Sequence, residues 1–297
     1  MSIKDSLFIA SQYVVPQHLL SRAVGALAEA EMEWVKNPLI NLFIKKFGVN
    51  MSEAQRQSAS EFSCFNDFFT RELIDGARPI EGDASVLSSP ADGAVSQRGE
   101  IVDGRIFQAK GQDYCLTELL GGDAKRAAPF MGGEFATIYL SPKDYHRVHM
   151  PMAGKLRDMI YVPGDLFSVN QVTAENVPRL FARNERVVCI FDTDKGPMAM
   201  VLVGAMIVAA VETVWAGHIA PPRRELKVSE YGAPVDVSLE KGAEMGRFKL
   251  GSTVILCHPK GVVDWNDTFE AGAPVRMGEA IADLARHKSL IFQRSGL

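Results

Sequence analysis

RVVCIFDTDKGPMAMVLVGAMIVAAVETVWAG, residues 186–217, decides the fold of this 297-residue chain. Two apolar, β-branched runs meet at Gly196-Pro197, a turn pair, so a hairpin between two strong strands is expected there. The uncharged apolar run of residues 198–211 is 14 residues long, below the ~18 needed to span a bilayer. Gly204 and the β-branched content make core strands the better fit.

The same texture extends on both sides. From about Ile80, short β-rich runs such as AVSQRGEIV, RIFQAKG, EFATIYL, KLRDMIYV and STVILCH alternate with Gly, Pro and Asp-Gly turns. Such spacing argues a sandwich or barrel of short strands. The N-terminal third reads as helical instead. One helix is expected before Pro16 and a second over residues 17–34. Pro38 suits the first turn of a third, which carries Leu39, Ile40, Leu42, Phe43, Ile44 and Phe47 and ends on Lys45 and Lys46. Phe62, Phe65, Phe68 and Phe69 form one helical face suited to core packing, and Arg78-Pro79 closes the helical region. The expected class is α+β: a small helical region over residues 1–75, then a β-rich, sandwich-like catalytic domain over residues 76–297.

Composition narrows the function. Hydrophobic residues make up 47% and charged residues 23%, which gives a globular core and excludes a disordered or disulfide-stapled chain. Net charge is -4, and a nucleic-acid binder needs a basic surplus, so no nucleic-acid partner is expected. Residues 1–47 hold five basic and four acidic side chains, so they are +1 while the remainder is -5. Cys64, Cys115, Cys189 and Cys257 form no CxxC pair, which argues reduced, buried thiols. The start, MSIKDSLFIASQYVVPQHLL, has Asp5 and polar breaks unlike a signal peptide, so a cytoplasmic start is expected.

Three segments carry candidate chemistry. SSPADGAVS holds Asp92-Gly93, which alone reads as a turn. DYHRVHMP holds His146 and His149, which face opposite ways on a strand and the same way on a helical turn. They suit a metal half-site, catalytic histidines or satisfied core side chains. RFKLGSTVILC holds Gly251-Ser252-Thr253 before an apolar strand. Together the segments supply Asp, His and Ser, the set that activates a serine. No GxSxG elbow is present, which argues against an α/β-hydrolase. A serine after glycine can attack its own preceding carbonyl where the backbone is held strained.

FNDFFTRELIDGARPI, SSPADGAVSQ, TIYLSPKDYHRVHMP, YVPGDLFSVN, LFARNERVV, VGAMIVAAVETVWAG and MGRFKLGSTVILC together make the chain resemble bacterial, membrane-associated phosphatidylserine decarboxylases. The resemblance runs from about Phe65 to Cys257, with weaker helical similarity upstream. It implies a pyruvoyl enzyme made by self-cleavage. Ser252 attacks the carbonyl of Gly251, the ester eliminates to dehydroalanine, and loss of ammonia leaves a pyruvoyl group. The products are a β chain of residues 1–251 and an α chain of residues 252–297, 46 residues long. The family's maturation triad falls on Asp92, His149 and Ser252: His149 deprotonates the serine and Asp92 fixes the imidazole tautomer. His146 falls on the position that protonates the substrate carbanion. The pyruvoyl group forms a Schiff base with phosphatidylserine and replaces any external cofactor or metal. Arg147 is a candidate phosphate ligand, although a structural role suits it equally.

The implied partners are phosphatidylserine, the α–β chain pair, a possible higher homo-oligomer and a membrane surface. The implied location is the cytoplasmic face of the inner membrane, peripherally attached. Basic, apolar residues 1–47 then suit a surface-lying amphipathic region. Three rival readings stand beside it. A Ser-His-Asp hydrolase keeps Ser252 intact. A metal hydrolase uses His146 and His149, and a lipid-binding module leaves the Asp92, His149 and Ser252 set unexplained.

Overall fold

The computed structural model describes residues 3–206, 210–219, 225–249 and 252–285. Helices come first and strands follow, as the sequence leads one to expect. The leading helices are α1 (Ile3–Val14), α2 (Gln17–Ala28), α3 (Glu33–Phe47) and the short α4 (Phe65–Phe69); further short helices at Leu116–Leu119, Ala124–Ala127, Gln171–Asn176 and Leu180–Arg183 lie among the strands. The strands that place the site are β1 (Gly93–Glu100), β2 (Glu134–Tyr139), β3 (Arg147–His149), β4 (Gly154–Val162), β5 (Arg186–Thr193), β6 (Gly196–Val203), β7 (Ala210–Thr213), β8 (Lys227–Glu230), β9 (Glu244–Lys249), β10 (Thr253–His258) and β11 (Pro274–Val275).

A nine-stranded antiparallel sheet runs β8-β4-β5-β6-β10-β2-β1-β11, with Ser238–Leu239 also paired to β4. The opening hairpin is real: Thr193 pairs with Gly196, so the turn is Asp194-Lys195 and Gly196 already begins β6. Alternate side chains explain why these strands read as continuous apolar runs. Met198, Met200 and Leu202 of β6, with Val254 and Leu256 of β10, face one core. Ala199, Val201, Ile255 and Cys257 face a second core on the opposite side. With both faces covered, all six residues of β10 are buried. Each fully buried aliphatic side chain here contributes about 1.5–3 kcal/mol.

The helical region has a separate core. Ile40, Phe62, Phe65, Phe68 and Phe69 are buried together, and the Phe43 ring meets Phe65 edge-on at 5.0 Å. Pro38 does not start α3, which begins at Glu33; it lies inside the helix. Its missing N–H forfeits one backbone bond, and packing of Ile40 on the phenylalanines holds the helix through it. Gly48 ends α3 at φ 68°, a left-handed cap that returns its N–H to the Ile44 carbonyl. Helices α1 and α2 dock on the body through side-chain amides: Gln12 accepts from Ser168 N–H at 3.0 Å and Gln17 from Leu166 N–H at 2.6 Å.

Among the described residues no helix is long and apolar enough to cross a membrane. Cys64, Cys189 and Cys257 are buried free thiols, and Cys115 is a half-buried one.

Candidate active site

Asp92 sits just before β1, where the following residue has no room for a side chain. A Cβ on Gly93 would lie 2.3 Å from the Tyr139 carbonyl oxygen, so glycine is what lets β1 close against β2. The Asp92 carboxylate is buried and saturated. Arg78 donates from Nε to Oδ1 at 2.9 Å and from Nη2 to Oδ2 at 2.6 Å, and Met277 N–H donates to Oδ1 at 2.8 Å. Arg78 also donates to Glu53 at 2.9 Å. The hydrogen-bonded Asp92 carboxylate pushes the Arg78 pKa up.

The two histidines occupy unlike environments because β3 separates them by an odd offset. His146 is 0% exposed and packs on the Phe69 ring at 4.0 Å. Its Nδ1 lies 2.9 Å from the Asp144 carbonyl. A carbonyl only accepts, so Nδ1 carries the proton and Nε2 is left with a bare lone pair. That Nε2 is buried and has no partner among the described residues. Burial, more than any other influence, lowers the His146 pKa to about 3, and the nearby Arg71 charge lowers it too.

By the same logic His149 carries its proton on Nδ1, which donates to the Gly242 carbonyl at 2.8 Å. Its Nε2 accepts from the Tyr145 hydroxyl at 3.1 Å. Burial pushes the Tyr145 phenol up to about 12, so it stays a donor, and burial also lowers the His149 pKa.

Ser252 directly precedes β10 and is 1% exposed. Its carbonyl accepts from Leu140 N–H at 2.8 Å, and its Oγ lies 3.1 Å from the Thr253 hydroxyl. Between Lys249 and Ser252 the chain leaves the four-stranded sheet of Gly217–His218, β7, β9 and β3 for the nine-stranded sheet. Gly251, the other half of the expected cleavage site, lies outside the described residues.

The structure brings these groups to one end of the large sheet but does not hydrogen-bond them in series. His149 N–H donates to the Pro90 carbonyl at 2.8 Å, which ties its strand to the Asp92 segment. Phe248 N–H donates to the His146 carbonyl at 3.0 Å, which sets His146 beside the strand leading to Ser252. Among the described residues no hydrogen bond joins Asp92 to His149 or His149 to Ser252. The His149 tautomer is held by Gly242, not by Asp92, whose charge reaches the ring only at longer range.

Arg147 is not free for a phosphate. It donates to the Thr70 carbonyl at 2.9 Å, Glu244 at 3.0 Å and Glu72 at 3.1 Å, a structural set. Sequence reasoning missed Arg78, Tyr145 and Gly242. Tyr145, inside the histidine motif, was the one with a visible signal. A cavity of about 510 Å³ opens beside the site, lined by Arg71, Arg78, Asp92, Tyr139, Tyr145 and Arg276 among others. Among the described residues no three His, Cys, Asp or Glu side chains group to hold a metal.

His146 carries a stability prediction. Its folded pKa of about 3 lies below its ordinary 6.5, so the unfolded chain binds the proton more readily. Its contribution is full above about 6.5 and is lost as pH falls toward about 3. Thermal melting should drop between pH 7 and pH 4, and His146→Gln should flatten that drop; an equal slope in the variant contradicts the assignment.

Fold and site together define an α+β protein with a sealed serine at the entry to its central strand, a cleft lined by an ion-paired aspartate, and two buried histidines close to that aspartate's segment and to the serine's strand. The family model described as phosphatidylserine decarboxylase matches residues 65–283, and a second, described as PSD, matches residues 7–48. The chain is 62% identical to the phosphatidylserine decarboxylase proenzyme of Pseudomonas aeruginosa over 284 residues, covering 95% of this chain and 98% of that one. It is 60% identical to the proenzyme of Hahella chejuensis, covering 96% of each, and 58% identical to that of Bordetella avium, covering 97% and 98%. The chain belongs to the phosphatidylserine decarboxylase family.

Proposed function

We propose that the chain is made as a precursor, cleaves itself between Gly251 and Ser252, and then decarboxylates phosphatidylserine to phosphatidylethanolamine. What carries this reading is a sealed Ser252 at the entry of β10 in a chain 62% identical, over nearly its whole length, to a proenzyme of that name. Ser252 fits as the source of a pyruvoyl group: its hydroxyl is buried and its carbonyl is pinned by Leu140 N–H at 2.8 Å. That group would supply an electron sink for the carbanion left at Cα when CO₂ departs.

The side chains divide the remaining work. His149 Nε2 takes the Ser252 proton, once the Tyr145 hydroxyl that now occupies it turns away. The Asp92 charge favours the imidazolium that results. His146 Nε2, uncharged and unpartnered, must collect a proton before it can give one to the substrate carbon. The two product chains stay together as a pair: β10 would belong to the short chain, yet it is bonded to β6 and β2 on either side, and Met277 holds Asp92.

Release of CO₂ from phosphatidylserine vesicles tests the activity. No CO₂ release together with chelator-sensitive ester or peptide hydrolysis would favour a metal hydrolase instead, and ester or peptide hydrolysis by an uncleaved single chain would favour a serine hydrolase.

The substrate lies in a bilayer, and residues 1–75 are the proposed membrane-associating region, on the cytoplasmic face of the inner membrane. Leu7, Val14, Trp34 and Leu42 are exposed on α1 and α3, Trp34 by 76%. Trp34 and Leu42 are eight residues apart and share one side of α3. Ile40 on the same helix is core, so substitution is a cleaner test than deletion. The pair Trp34→Ser and Leu42→Ser should cut sedimentation with anionic liposomes about tenfold while melting is unchanged; undiminished sedimentation would sink the assignment.

A further inference from the structure

Three arginines are buried among the described residues: Arg71, Arg147 and Arg186, at 4%, 8% and 2% exposure. Two are fully answered. Arg147 has two carboxylates and a carbonyl, and Arg186 donates to the carbonyls of Glu118, Leu119, Ala182 and Asn184. Arg71 is not. Its Nη2 donates to the Lys143 carbonyl at 3.0 Å and more weakly to that of Asp144 at 3.4 Å. Among the described residues its buried Nε and Nη1 have no partner and it forms no salt bridge. A buried guanidinium left two donors short is costly unless an anion completes it.

Arg71 lines the cleft of about 510 Å³ that also holds Asp92 and Tyr145. Ser141 lines it too, and its buried hydroxyl likewise has no partner among the described residues. The Asp144 carbonyl that Arg71 approaches also accepts from His146 Nδ1 at 2.9 Å, so the guanidinium and the proposed proton carrier share one anchor. On the proposed decarboxylase reading, the substrate offers two anionic groups to this cleft, a carboxylate and a phosphodiester. A guanidinium on the carboxylate would stabilise the charge that must vanish as CO₂ leaves, holding back the reaction. On the phosphodiester, which keeps its charge throughout, the planar fork binds without that cost.

We propose that Arg71 and the Ser141 hydroxyl form the site for the phosphodiester of the substrate headgroup. The arrangement anchors the headgroup beside His146 while leaving the carboxylate unpaired.

The test uses the full-length Ser252→Ala chain, which has no turnover, titrated calorimetrically with glycerophosphoserine, L-serine and inorganic phosphate. Glycerophosphoserine should bind, and adding Arg71→Gln should weaken it at least ~10-fold, the value of a charge-assisted pair. Arg71→Lys and Ser141→Ala should each weaken it ~3-fold or more. Any affinity for L-serine should not change. Glycerophosphoserine should bind ~10-fold tighter than inorganic phosphate. Undiminished binding in Arg71→Gln overturns the proposal. So does an equal loss for L-serine, which would place the carboxylate on Arg71, and so does equal affinity for inorganic phosphate, which would make this a free-phosphate site. If Arg71→Gln does not fold, unchanged binding in both Arg71→Lys and Ser141→Ala overturns it. Failure of the wild-type chain to release CO₂ from phosphatidylserine would refute the decarboxylase reading separately, since these titrations involve no turnover.

Discussion

Ser252→Ala is expected to leave the 297-residue chain in one piece and to remove decarboxylase activity, a loss on the order of 10⁴-fold or more. Alanine has no oxygen to attack the Gly251 carbonyl, so no ester and no pyruvoyl group can form. Among the described residues nothing in the cleft replaces that electron sink: the lining supplies carboxylates, guanidinium groups, phenols, the Ser141 hydroxyl, the Asn50 amide and the Lys143 amine, none of which takes up an electron pair at carbon. The substitution removes one oxygen from a buried position, and the backbone anchor from Leu140 to the Ser252 carbonyl is untouched. The fold should therefore survive, with melting close to wild type. Ser252→Cys, which keeps a nucleophile in place, should still cleave, more slowly.

His149→Ala carries the second large effect. Removing a positioned general base should slow self-cleavage by about 10²–10⁴-fold. His149 suits that role because its proton is committed to Gly242 through Nδ1, which leaves Nε2 as the acceptor. Burial lowers its pKa, so the base stays unprotonated below the ordinary histidine range and the wild-type cleavage rate should hold until the pH is below about 6.5. Tyr145 now donates to that Nε2 at 3.1 Å. Tyr145→Phe frees the lone pair and should cleave at least as fast as wild type, where loss of a catalytic phenol would slow it. Added imidazole should partly restore cleavage in His149→Ala. A variant that cleaves normally, or one that imidazole cannot help while its melting is unchanged, contradicts the base assignment.

The fold was legible where periodicity and turn chemistry are local. The alternation along residues 198–203 sends side chains into two cores, and the Asp194-Lys195 turn closes the hairpin two residues before the Pro197 that marked it. The phenylalanine face was legible for the same reason. Pro38 misled because tertiary packing on Ile40 sustains a helix that local chemistry would begin there.

The candidate site residues were picked out by motifs, whereas their hydrogen-bond partners were not legible in sequence. Gly242 is 93 residues from His149, and Met277 is 185 from Asp92; sheet register brings each pair together, and no short window encodes it. Arg78 read as the end of a helical region because its proline neighbour dominated the local signal, while its guanidinium holds Asp92. Arg147 and Arg71 look alike in sequence. They differ in what folds within reach: Glu72, Glu244 and the Thr70 carbonyl for Arg147, and for Arg71 only the carbonyls of Lys143 and Asp144 among the described residues.

The central claim is that Ser252 becomes the first residue of a separate chain. Intact-mass measurement of the purified protein tests it most directly. The account predicts two species, a long chain of residues 1–251 and a short one of 46 residues, roughly 5 kDa at about 110 Da per residue. The short chain should begin with a pyruvoyl group, lighter than the serine-terminated peptide by one ammonia (NH₃) and without a free amine. A single species of 32.5 kDa from protein that actively decarboxylates phosphatidylserine would contradict it.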